Sequence, residues 1–520
     1  MILSKYTIPD DIKENIEKLK SIQNKKLAHP HTMRELKELL ISDGQQWREE
    51  HKEEQKHRDG TISYKIHHPS PREVADILER HLIFGLIAAN DDEMEKARIS
   101  FYDFDAGIYK SSERTLKQLA TYVERNLSIR QQKEVINFLF LDSPRLTETK
   151  DKDLIVLGNG IFYRKEHKLL DFSPNYVFTK KIATNYNPTI KEPAFNGWTI
   201  SKWFKQLSDG DKDKEKLLWQ IIATVVNPNL TKDVAIFLVD DGQGRTGKST
   251  FEQLLENLVG AGNYASLKLK EFEQDFKLAS ATGKALIVGD DNNPNDYNTT
   301  SENFKSVATG ENVLINPKGI TPFNYRFSSF IIQSMNGIPR FKDTSDALFR
   351  RFRVLVFNHQ YKATPANSKI KEEYIKNQRL LEFILMKSLS LNFDILQDTK
   401  ESQAMIKDIK TDNDSVDYFI ENYLDELKST RIPVAFLFKY FLAAMEYENN
   451  PQSMKQNTFT HRAKSLMSKK GWDYSRNNLA PLAYWSKEDL ELLKRLDIHY
   501  KYSVEIDTIK KQPLYKKSDK

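Results

Sequence analysis

Lys248 and Ser249 close the run Gly242-Gln243-Gly244-Arg245-Thr246-Gly247-Lys248-Ser249, whose residue types and spacing suit the holding of a polyphosphate. Its glycines let successive backbone N–H groups turn towards phosphate oxygens. A helix starting at the end of the run adds partial positive charge, Lys248 reaches the outer phosphates, and the Ser249 hydroxyl, followed by Thr250, can hold Mg²⁺. About forty residues on, Asp290 and Asp291 end an apolar stretch, the place where such sites hold the metal (Asp290) and polarise the attacking water (Asp291). Asn336 follows another apolar stretch, where an amide orients water or a terminal phosphate. Arg350, Arg351 and Arg353 are expected to crowd beside the phosphate site, and an arginine supplied by a neighbouring subunit is one way to stabilise a phosphoryl group in transfer.

These residues need a frame. Val234 to Val239 is a continuous apolar run that reads as a buried strand leading into the loop. Phe251, Leu254, Leu255 and Leu258 then recur at helical spacing, and Gly260 stands where a left-handed cap would end the helix. Further strands are expected from Lys284 to the aspartates, over Phe330–Met335 and over Val354–Phe357. Between them, Thr299 and Glu302 have capping-box spacing for a helix ending at Gly310. Asn316-Pro317-Lys318-Gly319 is turn chemistry between Val313-Leu-Ile and Phe323-Asn-Tyr, which puts Lys318 near a hairpin tip.

Length and composition bound the rest. The 520 residues allow about three domains. The 79 basic and 73 acidic residues leave only +6, so a nucleic-acid-binding surface has to be local. The chain contains no cysteine, which excludes disulfides and thiolate metal sites and agrees with a reducing cytoplasm. Neither a signal peptide nor an apolar run of membrane-spanning length is seen, so a soluble cytoplasmic protein with no membrane partner is expected.

Residues 1–70 read as a charged helical segment of thin amphipathicity, docking weakly or binding a neighbour; His51, His57, His67 and His68 cluster there, read as solvated loop histidines over metal ligands. Residues 71–230 read as an α+β domain, with helices from Pro71 and over 112–140 and a hairpin around Asp103-Phe-Asp105-Ala-Gly107. Two carboxylates two apart on a strand share a face and could hold metals for nucleotidyl transfer, a primase reading; ordinary hairpin-building is the competing one. Residues 231–400 carry the nucleotide site. Over 401–510, helix, helix and strand follow one another as in a winged helix, and Lys455, Arg462, Lys464, Lys469, Lys470 and Arg476 face only Asp473 in opposition, a footprint suited to DNA phosphates. Residues 511–520 read as a basic, disordered tail.

The order of parts, from Gly242-x-Gly-x-x-Gly-Lys-Ser-Thr250 through Asp290-Asp291, Lys305 to Gly310, Lys318, Gln333-Ser-Met-Asn336 and Arg350-Arg351, resembles the superfamily 3 helicases, and more narrowly the poxvirus-type primase-helicase family of phages and mobile elements. Phe104-Asp-Ala-Gly-Ile-Tyr109, Asn159-Gly160 and Asn185-Tyr-Asn-Pro188 resemble that family's region preceding the motor. The compact size without a polymerase module is similar to the replication initiators of staphylococcal pathogenicity islands. Thr246 departs from the asparagine often found there, which touches fine tuning more than ATP binding.

The resemblance implies an α/β fold with a modified AAA+ P-loop ATPase core, a mainly helical N-terminal region and a C-terminal winged-helix-like domain. It further implies ATP with Mg²⁺, a homo-hexameric ring around DNA, and translocation from 3′ to 5′. Lys318, with Lys305, would touch single-stranded DNA in the pore, Asn336 would sense the γ-phosphate, and Arg350 or Arg351 would act in trans. The function expected is an ATP-dependent DNA helicase serving as a replication initiator, with an origin duplex and a loader or primase as further partners. A bifunctional primase-helicase and a non-hydrolysing origin-binding protein switched by ATP stand as alternatives.

Overall fold

A computed structural model describes residue 13 and residues 30–87, 98–230, 233–240, 244–274, 276–293, 297–298, 301–318, 322–338, 340–341, 346–413, 415–448, 451–480, 484, 486–497, 499, 501–502 and 511–518. The chain divides into two compact units, Met1–Pro339 with Ala347–Ser402, and Arg340–Asp346 with Gln403–Lys520. The second unit resumes at Gln403.

The first unit opens with α1 (Met33–Glu50) and the exposed hairpin β1 (Glu53–Lys56) and β2 (Ile62–Lys65). Then come α2 (Pro71–His81), β3 (Phe84–Ile87), β4 (Arg98–Asp103), β5 (Ile108–Lys110), α3 (Glu113–Val123), α4 (Ile129–Asp142) and β6 (Arg145–Leu146). Serine caps start the helices: Ser70 with Glu73 and Ser128 with Gln131 form capping boxes on α2 and α4. The sheet runs β5-β4-β3-β6. Leu36 and Leu40 of α1 are fully buried in one core with Val74, Ile77, Leu78, Phe101, Leu116 and Leu139. α1 is therefore an integral layer of this domain and not a loosely docked helix, because Leu36, Leu40, Met33 and Trp47 pack on the core, whereas Ile62 and Tyr64 of the hairpin after it are exposed. One feature departs from the sequence reading, the hairpin that follows α1; the part of the expected segment over residues 1–12 and 14–29 lies outside the described residues.

Glu79 on α2 lies beside Asp142 at the end of α4, and burial with that neighbouring carboxyl pushes it up to about 7, against the opposing pull of Arg72. The folded state thus keeps a proton that the unfolded chain, with an ordinary glutamate, releases near 4.5. Stability must fall as pH rises from about 4.5 to about 7 and level off above. Glu79→Gln is expected to melt higher than the parent at pH 8, by roughly 1 kcal/mol once the half-exposed position is allowed for, with no advantage at pH 4. Thermal melts across that range check it.

The antiparallel trio β7 (Leu154–Leu157), β8 (Gly160–Tyr163) and β9 (Lys168–Leu170) leads to α5 (Ile200–Leu207) and α6 (Lys212–Val225). A five-stranded sheet follows, made of β10 (Ala235–Val239), β11 (Tyr264–Ser266), β12 (Leu286–Asn292), β15 (Phe330–Met335) and β16 (Phe352–Val356). Its order is β11-β12-β15-β10-β16, with every neighbouring pair parallel. Both faces are covered, which is why β10 and β15 are buried at every position and read as unbroken apolar runs. Ile236 and Leu238 face α5, α6, α10 (Gln378–Leu389) and the Phe251/Leu254/Leu255/Leu258 stripe of α7 (Lys248–Val259), whereas Phe237 stacks on Phe352 at 4.4 Å on the other side. A division at residue 230 would cut this core: Trp203, Phe204, Leu217 and Leu218 are as much part of it as Ile236.

Between β12 and β15 lie α8 (Glu302–Thr309) and a hairpin of β13 (Asn312–Ile315) and β14 (Phe323–Arg326). Gly310 caps α8 in the left-handed region, at φ 68°, as its position predicts. The cap at the other end is Ser301 without a side-chain hydrogen bond, and Thr299 falls outside the described residues. After β16 comes α9 (Pro365–Glu372), started by Thr364 and Pro365.

The second unit contains α11 (Ser415–Tyr423), β17 (Arg431–Pro433), α12 (Val434–Tyr447), α13 (Gln456–Lys469), β18 (Trp472–Asn478), α14 (Glu488–Leu496) and β19 (Gln512–Lys517). Its antiparallel sheet has the order β17-β19-β18. Phe419, Tyr440, Phe441 and Phe459 build the core, with Phe441 and Phe459 at 4.8 Å. The tail expected to be disordered forms β19, the strand that joins the other two. Leu514 and Tyr515 are fully buried and supply the apolar anchor that its flanking lysines hide in the sequence. Among the described residues, no helix is long and apolar enough to cross a membrane.

Candidate nucleotide site

The parallel sheet fixes the site, since its adjacent strands β12, β15 and β10 end side by side. Each delivers a polar residue to that edge: Asp290 and Asp291 from β12, Asn336 just past β15, and Asp240 just past β10. Lys248 opens α7 at the same edge. Only 8% exposed, its Nζ donates to Asp240 Oδ1 at 3.0 Å, to the Met335 carbonyl at 2.7 Å and to Asn336 Oδ1 at 2.6 Å. Asp240, 5% exposed, also accepts from Thr246 Oγ1 at 2.9 Å. A buried lysine is thus held by one carboxylate, one amide and one carbonyl, a charge kept in place ahead of any ligand.

Gly242 and Gln243 lie outside the described residues. Gly244 (φ 72°), Arg245 (φ 56°) and Gly247 (φ 87°) all sit in the left-handed region, the backbone shape that turns consecutive N–H groups inward. At Gly247 a Cβ would also come within 2.7 Å of Leu207, so α5 closes directly on the loop. No side chain caps the first turn of α7. Its N–H groups and partial positive charge are therefore open to an anion.

The carboxylate pair is presented by an irregularity. Between Gly289 and Asn292 the register of β12 against β15 shifts, and Asp290 and Asp291 protrude and are exposed, Asp291 with φ 51°. Asn292, only 4% exposed, pins the bulge: its side chain donates to the Gly289 and Ser334 carbonyls and to Gln333 Oε1, and accepts from Leu269 N at 2.7 Å. Behind Asp290 lies Glu252 of α7, 3% exposed, pushed up to about 9 by burial and then by Asp290 and Glu256. It stays protonated at neutral pH, and among the described residues its Oε1 has no hydrogen-bond partner. Glu256 is raised for the same two reasons, burial and Asp290, with Lys371 opposing.

Ser249 is exposed, and Lys371 of α9 donates to its Oγ at 3.3 Å. Among the described residues no three His, Cys, Asp or Glu converge as a ready-made metal cage. Ser249 and Asp290 fit instead a Mg²⁺ that completes its shell with phosphate oxygens and water, the way that ion is usually bound. The arrangement can hold a triphosphate, neutralise its outer charge and present a carboxylate to water.

Asp240, Asn292, Glu252 and Lys371 were not singled out from the sequence. Asp240 carried a weak signal, an acid directly after the strand that enters the loop. Lys371 carried none, being 122 positions from its partner in a uniformly charged stretch.

The arginines are placed differently from expectation. Arg350 and Arg351 precede β16, whose Phe352 pairs with Ala235, the first residue of β10. They stand at the amino-terminal edge of the sheet, about 17 Å of strand away from the lysine edge, and not beside the phosphate loop of their own chain. Parallel pairing dictates this, because what precedes one strand lies beside what precedes its neighbour. Arg353 lies within β16, its Nε 3.9 Å from Asp398.

Lys318 is exposed at the turn of the β13–β14 hairpin, and Lys305 lies on α8. In the second unit, Lys455, Arg462, Lys469 and Arg476 are exposed around α13 and β18. Lys464 lies 4.0 Å over the Tyr474 ring, and Lys470 pairs with Glu421 at 2.8 Å, so these two are already engaged. The Asp103 carboxylate is likewise committed: it accepts from Asp105 N and Ala106 N and pairs with Lys110 at 2.7 Å, which makes it the keystone of its hairpin turn. His51 bonds the Trp47 carbonyl, His57 bonds Ser63, and His67 and His68 face Glu53 and Glu124.

Three family models match successive segments. Residues 33–204 match "D5 N terminal like", residues 241–351 match a family of unknown function (DUF5906), and residues 411–495 match "Poxvirus D5 protein-like". Among solved structures, an apo A form of the NrS-1 C terminal region is 13% identical, covering 84% of this chain and 96% of that one with a TM-score of 0.45. Another apo structure of the same region is 12% identical, covering 87% and 100% with a TM-score of 0.43. On both sides of the candidate site, over residues 33–204 and 411–495, the chain is similar to D5-type proteins.

Proposed function

We propose that this chain is an ATP-dependent DNA helicase of the superfamily 3, D5-like primase-helicase type, acting as a replication initiator for a phage or mobile element. One observation carries the reading: Lys248, Asp240, Asn336 and the Asp290-Asp291 bulge meet at one sheet edge, while Arg350 and Arg351 stand at the other. A site that lacks its arginines until a second copy arrives is what a ring motor needs. The strand order, with the loop-bearing strand between the last two strands of the sheet, supports a modified AAA+ core. The two D5-like segments support a role in DNA replication.

In this mechanism the Gly244–Gly247 backbone and the first turn of α7 bind the phosphates, and Lys248 exchanges Asp240 for the outer phosphate oxygens. Mg²⁺, held by Ser249 and Asp290, would supply charge neutralisation there. Asp291 orients water. Asn336 passes from Lys248 to the γ-phosphate and so reports which nucleotide is bound, and the hairpin draws one DNA strand with Lys318. In the second unit the strand order β17-β19-β18, with α12 and α13 after β17, supports a winged-helix-like reader. Its α13 exposes Arg462 and Lys469 to duplex phosphates at the origin. A homo-hexamer, a cytoplasmic setting and a loader or primase partner complete the proposal.

Forked DNA with a 3′ or a 5′ tail tests it: unwinding is expected only when the 3′ tail is present, and a preference for the 5′ tail would reverse the assigned polarity. Asp291→Asn should lower turnover by about 10²-fold or more with ATP still bound; unchanged turnover would leave the site a mere switch. Lys318→Ala is expected to keep DNA-free ATPase within about two-fold of the parent and to lower unwinding at least ten-fold, the loss of a moving contact and not of chemistry.

A further inference from the structure

The hairpin that carries Lys318 is held along one strand, from the N-terminal sheet at its tip, from the loop before β12 in its middle and from the segment after β9 at its root. Phe323 is the β14 residue next to the turn, paired with Ile315, and Tyr325 follows on the same face with Phe327 just past the strand. The three rings touch in sequence, Phe323 to Tyr325 at 6.5 Å and Tyr325 to Phe327 at 4.8 Å. This ladder is fastened at three places. Near the tip, the Arg98 guanidinium of β4 lies 4.4 Å over the Phe323 ring. In the middle, the Tyr325 hydroxyl accepts from Gly283 N at 2.9 Å. At the root, Lys180, 8% exposed, donates to Ser328 Oγ.

Arg98 is the unusual member. It is partly buried, and among the described residues no carboxylate pairs with it. A guanidinium so placed is supported by the ring face it covers, and such a contact strengthens as water is excluded. Phe323 is itself only 8% exposed, so neither partner is free to turn away without the other.

We infer that Arg98 is a positioning residue for the Lys318 hairpin, tying it to the N-terminal sheet so that the two move as one body. The inference rests on the helicase reading, in which the hairpin moves with nucleotide state. Its consequence is that the N-terminal domain is part of the moving element and not a passive collar: a stroke that displaces Lys318 displaces β4 as well.

Two measurements test this. The chain has no cysteine, so Pro317→Cys beside the hairpin tip and Arg114→Cys on α3 can be spin-labelled cleanly. One narrow distance, the same with ATP analogue and with ADP, is expected in the full-length protein, and Arg98→Ala should broaden it. A distance that changes between the two nucleotides in the Arg98 protein overturns the inference. The second measurement is base pairs separated per ATP. Arg98→Ala and Phe323→Leu should each lower it about five-fold with DNA-free ATPase unchanged, the double variant should be no worse than either, and Arg98→Lys should keep at least half. Additive losses, or Arg98→Ala within two-fold of the parent, also overturn it. A parent that hydrolyses ATP but separates no duplex sinks the helicase reading itself, and this inference with it.

Discussion

Lys248→Ala is expected to lower ATP turnover by a factor on the order of 10³ and, in the same protein, to destabilise the first unit by roughly 3 kcal/mol. The first effect follows from the proposed role of Lys248, a cation reaching the outer phosphates. The second follows from the lysine's place in the fold: Asp240 is 5% exposed and pairs with Lys248 at 3.0 Å, so truncation removes an ammonium from a buried carboxylate. A loss of turnover alone would therefore mix chemistry with damage. Pairing Lys248→Met with Asp240→Asn separates them. That double variant should recover most of the lost stability in denaturant melts, since the buried charge is gone, and should remain as inactive as Lys248→Ala. Recovered turnover in the double variant would show that the lysine acts through the fold and not on phosphate.

The same pair shows how far the sequence could be read. Lys248 was legible because its chemistry is local: loop glycines, lysine, serine and a helix stripe are contiguous, and each has a reason at its spacing. Gly260 and Gly310 as caps and the unbroken apolar β10 and β15 were legible on the same ground. Asp240 was not singled out, although it adjoins the loop, because its role depends on which strands flank β10, and order in a parallel sheet is a long-range property. Asn292 was missed for a related reason: an asparagine after two aspartates reads as turn chemistry until the shifted register against β15 shows its side chain plugging the bulge. Lys511, Lys516 and Lys517 around the buried Leu514-Tyr515 pair of β19 outweighed it in composition, and only the partners β17 and β18 give the pair something to pack on. The domain division at residue 230 failed because α5 and α6 have apolar faces that do not declare their partner. Trp203 and Leu217 would look the same packed on the trio β7–β9 as they do on the sheet of β10.

Arg350→Ala and Arg351→Ala are the second pair of large effects, and the sheet dictates their character. Both residues sit at the amino-terminal edge of β16, and β10, which leads to the phosphate loop at its opposite end, pairs with β16 in parallel from Ala235 to Val239. No side-chain rearrangement carries a guanidinium along about 17 Å of strand, so neither arginine can reach a nucleotide held by its own Lys248. In the proposed ring a neighbour placed head to tail would receive it, the arginine edge of one copy facing the lysine edge of the next. The variant that removes the acting arginine should therefore lower turnover by about 10³-fold, with ATP affinity nearly unchanged, and the other should lose little. Mixing supplies the decisive measurement. Lys248→Met, Asp240→Asn subunits and arginine-variant subunits are each inactive alone, yet a ring assembled from equal amounts of both has about a quarter of its interfaces with an intact lysine on one side and an intact arginine on the other. Turnover should return towards that fraction on mixing and stay absent when the two changes are carried by the same chain. If mixing restores nothing while both variants still assemble, the arginines do not complete a neighbour's site, and the sheet edge that separates them from Lys248 has another purpose.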